Sequence, residues 1–331
     1  MTWLVTSDIH LSDRSKDAYR FGLFRWLATQ QKKYKVTATF VLGDLTQEKD
    51  NHSSALVNRT IDEMTRLRPP VYAIAGNHDG TDPTNPYFRF LDCIDGFHFS
   101  CTPHFDSKLG VLFVPHCRVQ SEFDSAIKIA KGPGHTVMCH QTFEGAIAET
   151  GVKLNGLSTK TLALSKPKLV LAGDVHKPQH QDGVDYVGAP YHVRFGDDFE
   201  PRVLLIGDTI KNLHFDAPRK WVIRTNKAYW LPDHVREGDQ VKVTVELGRE
   251  EAVHWHHHRR AMLGLCRDLG LEVYGIDMKV QQGNGKTEGI KGHQLQTPKD
   301  VFTAFCQHEG LRDGLKSTGL RILTGEASQA A

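Results

Sequence analysis

Five short segments of the chain deliver side chains of the kind that bind metals. They are Asp8-Ile-His10, Gly43-Asp44, Gly76-Asn77-His78-Asp79, His140 and Gly173-Asp174-Val175-His176. Carboxylate, imidazole and amide donors together suit a borderline-to-hard divalent ion such as Mn, Fe, Mg or Zn. The ligand candidates Asp8, His10, Asp44, Asn77, His140, Asp174 and His176 are too many for one ion. Two ions sharing Asp44 as a bridge would use them well. Two ions roughly 3.5–4 Å apart can hold a phosphate, activate a water as hydroxide and stabilise both the attacking and the leaving oxygen. That chemistry is in-line hydrolysis of a phosphate ester. His78 adjoins the ligand candidate Asn77 and can point the other way. It is the candidate for contacting the scissile phosphate and protonating the leaving oxygen, with Asp79 orienting its ring.

The elements that must position these groups are legible as apolar runs. Trp3–Thr6, Thr39–Leu42, Val71–Ala75, Val111–Val114, Thr136–Cys139, Leu169–Ala172, Val184–Val187 and Val203–Ile206 read as strands buried on both faces. Ala18–Gln31 and Ser53–Leu67 carry apolar residues at helical spacing between them, and Pro69-Pro70 stops the second. Each ligand segment lies just past a run, where the carboxyl ends of an α/β sheet bind ligands. Taken singly, a D-x-H or G-D at a strand end is more often a turn or a helix cap, and His140 a satisfied core histidine. Their joint occurrence at successive strand ends favours the metal site.

Past Phe215–Pro218 the character changes to a strand over Gln240–Leu247, a helix with Trp255, Met262, Leu265 and Leu269 on one face, and a strand near Leu271–Val280. A Gly- and Gln-rich loop, Gln281–Gln296, leads to Thr297 capping a last helix opened by Pro298. The expected organisation is a catalytic domain over 1–217, a small α+β cap over 218–296 and a helix and tail over 297–331. The run His254-Trp255-His256-His257-His258 points in different directions on a helix and reads as surface or packing. The 331 residues can bury a sizeable core. No apolar run is long enough to span a bilayer, and the amino terminus has no secretory pattern. Six cysteines without C-x-x-C spacing fit a reduced, cytoplasmic setting. A net charge of +2 announces no nucleic acid, so a nucleic-acid surface would have to be a local patch.

The motif series resembles that of the calcineurin-like metallophosphoesterases over roughly residues 1–208. The resemblance implies a four-layer α/β/β/α sandwich and a binuclear centre. One ion would take Asp8, His10, Asp44 and His176, the other Asp44, Asn77, His140 and Asp174. The last motif of that family normally opens with His, where this chain has Asp174. Aspartate is the harder ligand, which shifts the expected metal toward Mn, with Mg or Fe next and Zn less favoured.

GDLTQEKDNHSSALVNR and GAPYHVRFGDD resemble the SbcD-type DNA-repair nucleases, in particular their bacteriophage members. That resemblance implies a metal-dependent DNA exonuclease or endonuclease in a bacterial or phage-infected cell. DNA contacts would come from His52, Arg194 and the cap residues Arg219, Lys220, Arg224 and Lys227, although any one of these cations reads equally as a solvated face. TPKDVFTAF resembles the region that leads toward an SbcC-type coiled-coil ATPase partner, and a homodimer is a further expectation. The alternatives are a phosphatase or nucleotide phosphodiesterase of the same fold, and a degenerate phosphoesterase fold used as a binding scaffold.

Overall fold

The structure is a computed structural model. It describes residues 1–130, 132–227, 229–281, 302–303, 305–307, 310 and 313–324. Met1–Val280 form one compact unit and Gln281–Ala331 a second. The expected loop Gln281–Gln296 (beyond its first residue), the Thr297 cap, Pro298 and part of TPKDVFTAF lie outside the described residues.

Twelve strands build the larger part of the first unit. They are β1 (Trp3–Thr6), β2 (Ala38–Leu42), β3 (Val71–Ile74), β4 (Phe97–Ser100), β5 (His104–Asp106), β6 (Val111–Val114), β7 (Thr136–His140), β8 (Leu169–Gly173), β9 (Gln179–Gln181), β10 (Val184–Tyr186), β11 (Val203–Ile206) and β12 (Ile210–Leu213). One sheet runs β12-β11-β1-β2-β3-β4 and the other β5-β6-β7-β8-β10-β9. The ligand-bearing neighbours β1, β2 and β3, and likewise β7 and β8, are parallel. Their carboxyl ends therefore emerge on the same side of each sheet.

The alternation of side chains along each strand explains why these runs are apolar throughout. Trp3, Val5, Phe40, Leu42 and Ile74 meet Phe113, Met138 and Leu171 between the sheets. The opposite faces carry Leu4, Val41 and Ala73 against Leu23, Phe24 and Leu27 of α1 (Gly22–Tyr34) and Leu56 and Met64 of α2 (Ser54–Met64). On the second sheet, Leu112, Val114 and Val137 meet Phe123 and Ala126 of α3 (Gln120–Ile127) and Leu162 of α4 (Lys160–Ser165). The result is the expected four-layer α/β/β/α sandwich. Each fully buried side chain of this size contributes roughly 1.5–3 kcal/mol.

Ser53 caps α2 through its Oγ, which accepts from the Leu56 N–H at 3.0 Å. Glu63 near the end of α2 is buried and joins two helices. Arg25 of α1 donates to both its oxygens, and Arg66 adds a contact of 2.9 Å. The hydrogen bonds from Arg25 hold the Glu63 carboxyl below its ordinary range, against the opposing effect of burial. The unfolded chain therefore takes up this proton before the folded protein does, so the stabilisation is present at neutral pH and is lost as pH falls through the lowered folded value. Glu63→Gln should melt below the wild type at pH 7, and the gap should close on acidification below the usual carboxylate range. Parallel melting curves across pH 3–7 would contradict this.

The third sheet consists of three parallel strands, β13 (Lys220–Thr225), β14 (Gln240–Leu247) and β15 (Glu272–Val280). Val241, Val243 and Val245 pack against Met262 and Cys266 of α6 (Trp255–Asp268), which follows the short α5 (Arg249–Ala252). β13 has no strand counterpart in the sequence reading, and neither do β4, β5, β9 and β12. β9 and β12 are polar strands at sheet edges, where burial imposes no apolar pattern. All six cysteines are free. No helix among the described residues is long and apolar enough to cross a membrane.

Candidate metal centre

Three of the five ligand segments leave their strands through backbone that side chains rarely adopt. Asp8 (φ 54°), His10 (φ 48°), Asp44 (φ 54°) and Asp174 (φ 80°) all lie in the left-handed region. Backbone held there costs of order 1–3 kcal/mol per residue and persists only where the surroundings fix it. The fixing contacts are visible. The Asp8 and His10 N–H groups donate to the Gly43 and Asp44 carbonyls at 3.1 and 2.9 Å. The His78 N–H donates to Asp44 Oδ1 at 2.9 Å, and the Asp174 N–H to Asp8 Oδ1 at 3.2 Å. The motif glycines permit this closeness. A Cβ at Gly76 would stand 2.2 Å from Asp44 Oδ1, and one at Gly173 would stand 2.3 Å from the Leu42 carbonyl oxygen.

The candidate ligands converge in overlapping groups. Asp8, His10 and His176 bring ligand atoms within 4.8 Å of one another, as do Asp8, Asp44 and His140. His10 Nε2 and His176 Nε2 are 3.1 Å apart, and His140 Nε2 is 3.3 Å from Asp44 Oδ1 and 3.7 Å from Asp174 Oδ1. Adjacent ligands of one ion, each about 2.1 Å from it, stand about 3 Å apart. Asn77 Nδ2 reaches Asp174 Oδ1 at 3.4 Å, which leaves its buried Oδ1 without a hydrogen-bond partner. Asp44 belongs to one group with His140 and to another with His10, the position a bridging carboxylate would hold.

The electrostatics match a cation site. His140 Nδ1 is 2.6 Å from the Leu42 carbonyl, which can only accept, so that nitrogen carries the proton. Nε2 is then left facing the carboxylates, buried and without a hydrogen-bond partner. Burial works to lower the His140 pKa, but Asp44, Asp174 and Asp8 together outweigh it and hold the ring at about 9. Burial pushes Asp8 up to about 6 and Asp44 well above its usual value. His176 is driven down to about 3 by burial and the Arg194 charge, and His10 well down by burial and His176. A divalent ion among these groups would pair the carboxylates, take the lone pairs of His10 and His176 that burial leaves neutral, and displace the proton that the carboxylates hold on His140. The donor set therefore fits two divalent ions, with Asp8, His10, Asp44 and His176 as candidates for one and Asp44, Asn77, His140 and Asp174 for the other.

Neighbouring groups that sequence reasoning passed over hold these ligands in place. Ser7 Oγ donates to Asp8 Oδ2, and Thr142 Oγ1 to Asp174 Oδ2, each at 2.6 Å. Both hydroxyls lie within two residues of a ligand candidate at a strand end, a signal that was readable. Arg20 was not readable. It is fully buried, donates to the carbonyls of His10 and Val193, and pairs with Asp17 at 3.3 Å. The Tyr191 hydroxyl donates to the Ile9 carbonyl. Together they clamp the loop that presents Asp8 and His10.

His78 is half-buried with its Nδ1 2.7 Å from the Gln47 carbonyl, so the other ring nitrogen is the one free for chemistry. That carbonyl, rather than Asp79, orients the ring. The Asp79 carboxylate is buried and accepts from the Asp44, Leu45 and Gly76 N–H groups at 2.9, 2.9 and 2.6 Å. Asp79 thus shapes two metal loops, because backbone N–H groups buried beside it need an acceptor.

The expected DNA contacts scatter. His52 lies 2.8 Å from Thr46 Oγ1 and packs on Tyr87, with ring centroids 4.2 Å apart. Arg194 is exposed and 3.6 Å from Glu149. Arg219 is paired with Glu200 at 2.7 Å, while Arg224 and Lys227 are exposed. Lys220 is only 5% exposed, and its Nζ is 3.0 Å from Asp17 and 3.1 Å from the Val193 carbonyl. It is a buried structural cation, because this β13 side chain points onto the Asp17 carboxylate and the Val193 carbonyl. Glu149, His176 and Asp197 form a further close group, in which Asp197 Oδ2 accepts from the Val193 and Arg194 N–H groups while its buried Oδ1 has no hydrogen-bond partner.

Residues 1–212 match the profile of the calcineurin-like phosphoesterases. The chain belongs to that family, and is accordingly a hydrolase of phosphate esters; the family typically binds two divalent metals. No curated protein matches the chain. Among 63 matching chains of solved structures, one, described as that of a novel archaeal phosphodiesterase, is 15% identical. It aligns over 64% of this chain and 99% of its own, with a TM-score of 0.35, a likeness too slight to carry an argument.

Proposed function

We propose that the protein is a metal-dependent DNA nuclease that hydrolyses phosphodiester bonds, with Mn as its preferred metal. The observation that carries the choice of a polyanionic substrate is the placing of exposed cations at the rim of an acidic centre. Arg194 lies close enough to His176 for its charge to lower that ring's pKa, and Lys49 and Arg118 line a cleft that includes Asn77. Sequence-independent phosphate contacts of this kind suit a DNA-processing enzyme. The resemblance of GDLTQEKDNHSSALVNR to the SbcD-type nucleases supports the same reading.

Two divalent ions in this site would supply charge to a phosphate and acidity to a water. The rest falls to the chain. A water gives up one proton to solvent, its oxygen bonds to phosphorus in line as the bond from phosphorus to the leaving oxygen breaks, and His78 delivers a proton to that leaving oxygen. The Gln47 carbonyl holds the His78 ring through Nδ1, so Nε2 is the atom that carries the transferred proton. Asp44, through the His78 N–H, ties this backbone to the metal loop.

Asp174 in the place of the family's histidine makes the Asn77 side of the centre richer in oxygen. Asp174→His should retain two ions but shift preference from Mn toward Zn. Competition between the two metals measures it, and an unchanged preference would refute the hard-ligand argument. The functional assay is incubation with end-labelled linear single- and double-stranded DNA, with Mn, Mg or EDTA. Mn-dependent degradation abolished by EDTA is the expected result. Hydrolysis of bis-p-nitrophenyl phosphate without any DNA cleavage would replace the reading with a small-molecule phosphodiesterase.

A further inference from the structure

A cleft of about 70 Å³ opens beside the metal centre, lined by Gly76, Asn77, Pro86, His116, Lys49 and Arg118 among others. Its two cations come from different loops, one following Asp44 and one following β6. Those loops are held in register. His116 N–H donates to the Ala75 carbonyl at 2.9 Å, and Asp50 beside Lys49 accepts from the Thr81 N–H at 3.1 Å and from its hydroxyl. Arg118 Nη2 in turn donates to the Thr81 carbonyl at 2.8 Å, which fixes the guanidinium at the rim with its other N–H groups unspent. Neither Lys49 nor Arg118 forms an ion pair among the described residues. The nearby acids are already engaged, Asp50 by Thr81 and Asp82 by the Thr84 N–H and hydroxyl at 2.9 and 2.7 Å. The His116 ring lines the cleft with its Nδ1 buried and unpartnered.

We propose that Lys49 and Arg118 form a second phosphate subsite, which holds the phosphate adjoining the scissile one in a polynucleotide strand. The proposal rests on the nuclease reading, since a single phosphodiester would leave this subsite empty. Asn77 lines the cleft and is also a candidate metal ligand, so a phosphate bound there is a close neighbour of one bound at the metals. Exposed cations with no carboxylate at ion-pair distance, beside a site whose own ligands are acidic, give the substrate its register. An arginine fixed by one hydrogen bond still offers a fork of donors to phosphate oxygens, and lysine adds a point charge.

The test uses the full chain with Mn, in a His78→Ala background so that bound DNA persists. Binding of a short thymidylate oligonucleotide is measured as a function of salt, with and without Lys49→Gln and Arg118→Gln. Each cation removed from the path of a single strand should lower the salt slope by about 0.7. Affinity at low salt should fall roughly tenfold for each charge-assisted hydrogen bond removed. Lys49→Arg and Arg118→Lys should restore most of both, which a purely structural role would not predict. An unchanged slope in the double Gln variant would overturn the subsite. Pyrophosphate binding, measured in parallel, separates the two ideas. If no oligonucleotide binds but pyrophosphate binding weakens in the double variant, Lys49 and Arg118 still bind phosphate, but the polynucleotide occupant and the nuclease reading both fall, leaving a nucleoside polyphosphate as the source of the second phosphate. If pyrophosphate is also unaffected, the subsite falls.

Discussion

His78→Ala is expected to lower kcat by between about 100- and 10,000-fold, the range for removing a positioned general acid, while two metal ions remain bound. The geometry separates these effects. His78 is held by the Gln47 carbonyl through Nδ1 and lies edge-on to His10, with ring centroids 5.0 Å apart. It also belongs to a close group with His10 and Asp44, so it faces the centre directly. The groups that fit the ions, however, are complete without it. A leaving group of low pKa needs no proton, so a p-nitrophenyl diester should suffer less than a diester with a poor leaving group. Metal analysis on the purified variant decides the matter. Loss of one ion together with activity would make His78 a ligand.

Asp17→Asn is expected to cost about 3–5 kcal/mol of stability, the penalty for breaking a buried ion pair. Asp17 accepts from Ser12, contacts Arg20 and binds Lys220, and all three charged side chains are nearly inaccessible. Asparagine keeps the shape but leaves two buried cations without an anion. The damage should reach the metal site as well, because Arg20 holds the His10 carbonyl and Lys220 ties β13 to the same cluster. Urea unfolding measures the first effect and Mn titration the second. A loss under about 1 kcal/mol would mean that water screens the cluster as it does a surface pair. An unchanged Mn affinity would show that Arg20 does not position the ligand loop.

The strands that carry ligands were readable because burial on both faces leaves no choice of residue, as in Leu4-Val5 or Phe40-Val41-Leu42. Their ends were readable because Gly, Asp and His follow at once. β9 and β12 escaped because edge strands facing solvent can be polar. β13 escaped for a different reason. Its Lys220 and Arg224 look like surface cations, and only the three-dimensional pairing of Lys220 with Asp17, over 200 residues away in the chain, shows one of them to be buried. The roles of Asp79 and Gln47 depend on which backbone groups a turn brings near, which residue types do not encode. The folded chain places Asp79 under three N–H groups and gives the His78 ring a carbonyl instead.

Mn binding to the metal-depleted protein shows whether one bridged centre holds two ions. Titration followed by electron paramagnetic resonance should show two Mn per chain with an exchange-coupled signal, because Asp44 lies in one close group with His10 and in another with His140. Asn77→Ala should weaken one ion and leave the other as an uncoupled signal. A single Mn per chain in the wild type, or two that remain magnetically independent, would rule out a bridged pair.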